Sequence, residues 1–160
     1  MTSVMVIEPD QPVAKAAQDA LHEAGIEAEL HTTANGVVEQ ARQNRPKAIV
    51  LSVELPKQSG WSVCAKLKKA KDIRHIPLVM TSSEAKPITF EHHQKLLSRA
   101  EEYLQKPYEP SALVALLQPY MSKSDEELIA ARDALQAETK KKAWSASTIL
   151  GLLGFTGLLV

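Results

Sequence analysis

The chain alternates short apolar runs with longer segments in which apolar residues recur every three or four positions. The apolar runs favour β-strands, which we place near 3–8, 27–31, 47–53, 76–81 and 102–106. The periodic segments predict amphipathic helices near 12–24, 35–44, 60–70, 88–98 and 110–121. Gly25 is expected to stop the first helix in a left-handed conformation, and Pro46 to follow the end of the second.

This alternation of strands and helices predicts an α/β domain over residues 1–121 with a parallel sheet. We expect a flavodoxin-like, doubly wound (βα)5 fold with strand order 2-1-3-4-5. In that order, the carboxyl ends of strands one, three, four and five line a crevice. Ligands of open α/β sheets bind in such crevices. We therefore expect the functional residues of this chain at those strand ends.

Two further segments follow the domain. Ser124, ahead of the acidic residues 125–127, predicts a capping box that opens a charged amphipathic helix or linker over 122–142. Residues 143–160 are eighteen in a row without charge, the lower limit for a transmembrane helix. Trp144 and the basic run 140–142 favour such a tail, anchored in a membrane with the domain in the cytoplasm. A helix docked on the domain or on a second chain, and a segment cut from a longer protein, are the alternatives.

Composition narrows the function classes. The 19 basic and 19 acidic side chains cancel, so there is no overall positive field of the kind that binds nucleic acid. The single Cys64 cannot form an intrachain disulfide and lies on an amphipathic helix, so we expect a buried structural thiol in a reducing cytoplasm. Residues 1–7 are strand-like and do not have the pattern of a signal peptide.

Polar and aromatic residues cluster at the predicted strand ends. Glu8 and Asp10 follow the first strand, Ser52 ends the third, and Ser82 falls at the end of the fourth. The fifth strand carries the remaining candidates, Tyr103, Lys106, Pro107 and Tyr108.

In order and spacing, these positions resemble the receiver domains of bacterial response regulators, the CheY-like superfamily, over roughly residues 3–121. In that family an aspartate at the position of Ser52 accepts a phosphoryl group, and an acidic pair after the first strand helps to hold Mg²⁺. The resemblance implies that Ser82 stands where the family contacts the phosphoryl group, that Tyr103 is the switch aromatic, and that the Lys106-Pro107 bond is cis. Ser52 and Pro9 depart from the family pattern.

A closer similarity involves three segments, 54–60, 64–69 and 101–104. They resemble the N-terminal pseudo-receivers of the myxobacterial gliding-motility proteins FrzS and AglZ. Those domains also have altered acceptor sites and act through protein–protein contacts.

The resemblance, together with the alcohol at Ser52, implies a degenerate phosphoacceptor pocket with no catalytic residue, no enzymatic activity and no bound metal or other cofactor. Ser52 is neutral and has no histidine predicted nearby to act as its base. Receiver phosphorylation needs a carboxylate beside Mg²⁺. We expect Glu8 or Asp10 to form a salt bridge with Lys106, and Ser82 to bond the loop backbone. The rival hypothesis is a working phosphoacceptor in which Glu8, Asp10 and Glu54 rebuild an atypical acidic metal site.

The remaining charged residues suggest no second site. Histidines 22, 31, 75, 92 and 93 do not form a metal set, and all five are predicted at the surface or its boundary. The basic run from Lys66 through Lys68 to Arg74 is predicted to be a solvated face, with an acidic partner or lipid headgroups as the alternative.

Taken together, the sequence predicts a non-phosphorylated pseudo-receiver in a two-component-type or motility and polarity pathway. We expect it to bind a protein through the face made by the fourth helix, fifth strand and fifth helix, with Tyr103, Pro107 and Tyr108 at that face. No nucleic-acid partner is expected. A tether to the bacterial inner membrane through 143–160 and a homodimer are further expectations.

Overall fold

The computed structural model describes residues 3–156. Five strands alternate with helices: β1 Ser3–Ile7, α1 Gln11–Glu23, β2 Glu27–His31, α2 Val37–Asn44, β3 Ala48–Ser52, α3 Gly60–Lys69, β4 Leu78–Ser82, α4 Pro87–His93, β5 Glu102–Gln105, α5 Pro110–Met121 and α6 Asp125–Thr156. The strands form one parallel sheet in the order β2-β1-β3-β4-β5, so the predicted fold class and topology are confirmed.

The two faces of the sheet bury alternate residues of the same strands, as the period of a β-strand requires. In β1, Met5 and Ile7 pack against α2 and α3, whereas Val4 and Val6 pack against α1 and α5. All four side chains are essentially inaccessible to solvent. Because both faces are covered, the central strands read as continuous apolar runs in the sequence.

Several local predictions are confirmed. Gly25 has φ +78° after α1, and the Lys106-Pro107 bond is cis. Ser124 and Glu127 form the capping box of α6: the Glu127 N–H donates to Ser124 Oγ at 3.2 Å, and the Ser124 N–H donates to Glu127 Oε2 at 2.9 Å.

Helix α4 is shorter than predicted, because it ends at His93 and turns replace the expected helix over 94–98. The carbonyl groups of this stretch are used by distant side chains. Leu97 O accepts from Arg132 at 2.7 Å, and Ser98 O accepts from Cys64 at 3.3 Å. A periodicity argument cannot foresee these tertiary contacts.

The two segments predicted after residue 121 form one continuous helix as far as Thr156. Its first part packs on the amino ends of the strands, where Leu128 is buried and Lys47 Nζ donates to Lys123 O at 2.9 Å. Among residues 3–156, no helix has both the length and the apolar character needed to cross a bilayer, so the predicted membrane span is not supported. The last four residues of that span, 157–160, lie outside the described residues.

Candidate functional site at the carboxyl ends of the strands

The crevice is organised around the ammonium group of Lys106, which follows β5. Lys106 Nζ donates to Glu8 Oε1 at 2.9 Å and to Ser52 Oγ at 2.9 Å. The Glu8 side chain is 4% exposed and that of Lys106 is 11% exposed, so the pair is shielded from solvent. Of the two predicted partners of Lys106, Glu8 and Asp10, it is Glu8 that forms the salt bridge. It links the ends of β1, β3 and β5 through a single cation.

Ser52 is fully buried, and its hydroxyl group both accepts and donates a hydrogen bond within the chain. The oxygen accepts from Lys106, and the hydroxyl donates to the main-chain carbonyl of Glu54 at 3.1 Å. A serine nucleophile needs a base within hydrogen-bond reach to remove its proton. The group facing Ser52 here is instead a cation, and the proton points to a carbonyl oxygen.

Asp10, the second acidic candidate, serves as the N-cap of α1. Its carboxylate accepts from the Val13 N–H at 3.3 Å and so caps α1. Its own N–H donates to Glu8 Oε2 at 3.2 Å. Across the part of the chain that the structure describes, no three His, Cys, Asp or Glu side chains group as metal ligands. Glu8 is paired with Lys106 and Asp10 caps α1, so both carboxylates that follow β1 have partners within the chain.

Ser82 and Glu54 meet on the other side of the crevice. Ser82 Oγ donates to Glu54 Oε2 at 2.8 Å and accepts from the N–H groups of Glu84 at 3.2 Å and Ala85 at 2.9 Å. The predicted bonds from Ser82 to its loop backbone are thus present. The Glu54 carboxylate also accepts from Ser83, from both N–H and hydroxyl at 2.6 Å, and lies 3.9 Å from Lys106 Nζ.

These contacts decide the charge state of Glu54. Partial burial by itself would raise the pKa of this carboxyl group. The hydrogen bonds from Ser83 and Ser82, helped by the nearby Lys106, outweigh burial and hold the pKa below its ordinary value. Glu54 is therefore an anion at neutral pH. Sequence reasoning considered Glu54 only as a metal ligand and missed its bonds to the β4–α4 loop.

Gly60 begins α3 directly behind this site. A Cβ atom at this position would lie 2.2 Å from the carbonyl oxygen of Ser52 and 2.6 Å from the Cα of Val53. The Gly60 N–H donates to Val53 O at 2.8 Å. The missing side chain therefore lets α3 start against the end of β3, which fixes the backbone that carries Ser52.

Tyr103 faces into the domain toward α4. Its hydroxyl accepts from the Ala100 N–H at 3.1 Å and lies 2.5 Å from His93 Nδ1, and its ring packs on Phe90 with centroids 5.3 Å apart. Burial raises the pKa of Tyr103 and lowers that of His93. The prediction that all five histidines lie at the surface or its boundary is wrong for His93 and for His75, which are 9% and 7% exposed.

The other two residues of the predicted interface differ in exposure. Pro107 is exposed beyond the crevice. Tyr108 is half-buried against the α1–α5 side of the core, and this burial raises its pKa to about 12.

A second charged cluster lies at the opposite end of the sheet. Lys68 Nζ is 2.8 Å from Glu101 Oε2, and Arg132 Nη1 of α6 is 3.1 Å from Glu101 Oε1. The Lys68 and Arg132 side chains are each 1% exposed. Burial lowers the pKa of Lys68, and Glu101 opposes this effect. The prediction of a solvated basic face is therefore wrong for Lys68, because its partners come from distant parts of the chain.

Comparison with known proteins agrees with the fold. Residues 4–118 match the family model described as the response regulator receiver domain. The chain belongs to this family. Its fold is also that of solved receivers: the receiver domain of Francisella response regulator 1452 superposes with a TM-score of 0.68 at 20% identity, covering 76% of this chain and 97% of that one.

Two relatives have informative names. Adventurous-gliding motility protein Z of Myxococcus xanthus is 28% identical over 138 residues, which are 86% of this receiver but only 10% of that protein. The polar-differentiation response regulator DivK of Brucella anthropi is 28% identical over 121 residues, covering 74% of this chain and 95% of DivK. The predicted similarity to a gliding-motility protein is thus confirmed, although the chain spans about a tenth of that relative's length.

Proposed function

We propose that this receiver is a cytoplasmic signalling module that works without phosphorylation, has no enzymatic activity and acts by binding another protein. The observation that carries the proposal is the position of Lys106 Nζ, 2.9 Å from both Glu8 Oε1 and Ser52 Oγ. The cation balances the one buried carboxylate of the strand ends, and the residue at the acceptor position is a neutral alcohol. Phosphoryl transfer in this family depends on an ionised nucleophile beside a metal held by carboxylates, whereas here Ser52 is uncharged and Glu8 is already paired with Lys106.

The proposed binding face is formed by α4, β5 and α5. Ile88 on α4 is 52% exposed, and Gln105 on β5 is also exposed. Tyr103 underlies this face and ties β5 to α4 through His93. Apolar side chains beside a half-buried aromatic residue are typical of the centre of a protein interface. The names of the relatives, gliding motility and polar differentiation, support a role in motility or cell polarity.

The absence of a phosphoryl response can be tested by NMR. The ¹⁵N-labelled chain is mixed with beryllofluoride and Mg²⁺, with DivK treated in parallel as the responsive control. We expect the spectrum of this chain to remain unchanged. Shifts centred on residues 8, 52, 82 and 106 would contradict the proposal and favour the phosphoacceptor hypothesis.

The binding face can be tested by site-specific photo-crosslinking in the cells that express the protein. A crosslinker at Ile88 should label one defined protein, and the same crosslinker at the exposed Glu23 of α1 should not. The Ile88→Glu substitution should abolish the adduct formed from a crosslinker at Gln105. Equal labelling from Glu23 and Ile88 would contradict the assignment of this face.

A further inference from the structure

The donors around Glu54 form a complete anion site. Two hydroxyl groups, from Ser82 and Ser83, and the Ser83 N–H point at its carboxylate from 2.6 to 2.8 Å, and the Lys106 ammonium lies at 3.9 Å. Backbone N–H groups, hydroxyls and a cation are the donors that proteins use to hold carboxylates and phosphates. Here the anion that they hold is a side chain of the same chain.

The bound carboxylate joins separate loops. Glu54 belongs to the β3–α3 loop, which is closed by a bridge between Glu54 and Ser59. The donors Ser82 and Ser83 come from the end of β4 and the turn that leads to α4. Ser82 Oγ also accepts from the N–H groups of Glu84 and Ala85, so the same hydroxyl that binds Glu54 orders the approach to α4.

We infer that Glu54 is a built-in ligand that occupies the oxyanion site of this crevice and fastens the β3–α3 loop to the β4–α4 loop. In the unsubstituted chain the site is closed to free anions. Glu54 belongs to the same chain as the donors, so its carboxylate occupies the site in competition with any dissolved anion. Removing its carboxylate would open a site for a small carboxylate or an inorganic phosphate. This inference goes beyond the proposed function and does not depend on the identity of a protein partner.

The test uses the full chain with Glu54→Ala, the unsubstituted chain, and Glu84→Ala as the matched control. Glu84 is an exposed carboxylate of the β4–α4 loop, the loop that supplies Ser83. Each ¹⁵N-labelled protein is titrated with sodium acetate and, separately, with inorganic phosphate, with sodium chloride matching the ionic strength. The Ser83 amide signal and the thermal midpoint are followed.

We expect Glu54→Ala to show saturable movement of the Ser83 signal and a rise in midpoint with acetate or phosphate. The unsubstituted chain and Glu84→Ala should bind at least about tenfold more weakly, since an internally occupied site is open in only a small fraction of molecules. The inference would be overturned by a folded Glu54→Ala protein whose Ser83 signal and thermal midpoint respond to neither anion. Equal responses from all three proteins, or an equal response to chloride, would overturn it as well.

A second measurement covers the case in which Glu54→Ala does not fold. The side-chain carboxyl carbon of Glu54 is titrated by NMR in the unsubstituted chain, together with the Ser83 amide. We expect the two signals to change together, at a pH below the range of an ordinary glutamate. Independent titration of the two would overturn the inference. A response of the unsubstituted chain to beryllofluoride would instead defeat the proposed function, so the two failures are distinguishable.

Discussion

Glu101 Oε2 lies 2.8 Å from Lys68 Nζ, and it accepts from the Leu78 N–H at 2.7 Å as well. One carboxylate therefore holds a buried cation of α3 and the first residue of β4. Its second oxygen holds Arg132 of α6. Three elements depend on this single acidic side chain.

Glu101→Gln should be strongly destabilising. The substitution keeps the shape but leaves two buried cations without a counter-charge, and breaking a buried pair of this kind costs roughly 3–5 kcal/mol. Urea denaturation measures the free energy of unfolding. The exposed Glu23→Gln is the control and should change it by less than about 0.5 kcal/mol. Similar small changes for both variants would show that the cluster contributes little to stability.

Arg132→Ala should release α6 while leaving the sheet folded. Arg132 donates to Leu97 O at 2.7 Å and to Arg99 O at 2.8 Å, so its loss frees both the helix and the segment before β5. Hydrogen exchange should become faster in residues 126–136 and 97–99 but stay slow in β1 and β3. Arg74→Ala removes only a more exposed pair with Asp133 and should have a much smaller effect. Unchanged protection of α6 in Arg132→Ala would be inconsistent with this docking.

The contribution of Glu54 to stability should depend on pH. Because its folded-state pKa is depressed, the contribution is fully present above the unfolded-state pKa, about 4.3, and is lost as the pH falls through the lower folded value. Glu54→Gln should therefore be less stable than the unsubstituted chain near neutral pH, by about 1–3 kcal/mol. The difference in free energy of unfolding between the two proteins, measured by urea denaturation, should narrow below about pH 4. A difference that is constant across this pH range would rule out the ionised carboxylate as its cause.

Gly60→Ala should destabilise the crevice, because the added methyl group meets main-chain atoms of Ser52 and Val53 that cannot move independently. Overpacking of this kind typically costs about 1–3 kcal/mol. Gly151 on α6 has nothing within 4 Å of the corresponding position, so Gly151→Ala is a control that should not destabilise. The thermal midpoints of the two variants test this contrast, and equal losses would contradict it.

Cys64 should be unreactive in the folded protein. Burial raises the pKa of its thiol to about 12, and the side chain is fully inaccessible. Since the thiolate is the reactive form, iodoacetamide should modify Cys64 only after unfolding in urea. Rapid modification of the native protein would show that α3 opens readily from the core.

The sequence was sufficient to predict the topology, because apolar runs mark the strands. The charges at the strand ends predicted an ion pair between Lys106 and either Glu8 or Asp10, and the structure shows that the partner is Glu8. The sequence was insufficient to predict side-chain contacts between residues that are far apart in the chain. Lys68 reads as one of several lysines in a basic run, and nothing local distinguishes it. Its burial depends on Glu101, 33 residues away, and on Arg132 from a helix beyond the sheet.

The same limit applies to the site. Ser82 was identified from its position at a strand end, whereas the role of Glu54 depends on how the β3–α3 loop folds back toward Ser83. His93 was predicted near the surface, but it ends α4 and packs against Tyr103 of β5 and Trp61 of α3, which belong to other elements. These contacts are set by tertiary structure, and residue spacing does not encode them.

The most direct test of the central claim is an intact-mass measurement after incubation with acetyl phosphate and Mg²⁺. We predict that the mass stays unchanged, because Ser52 is a neutral alcohol held by Lys106 and the strand-end carboxylates are already paired or capping. A stoichiometric gain of one phosphoryl group that disappears in Ser52→Ala would contradict the account.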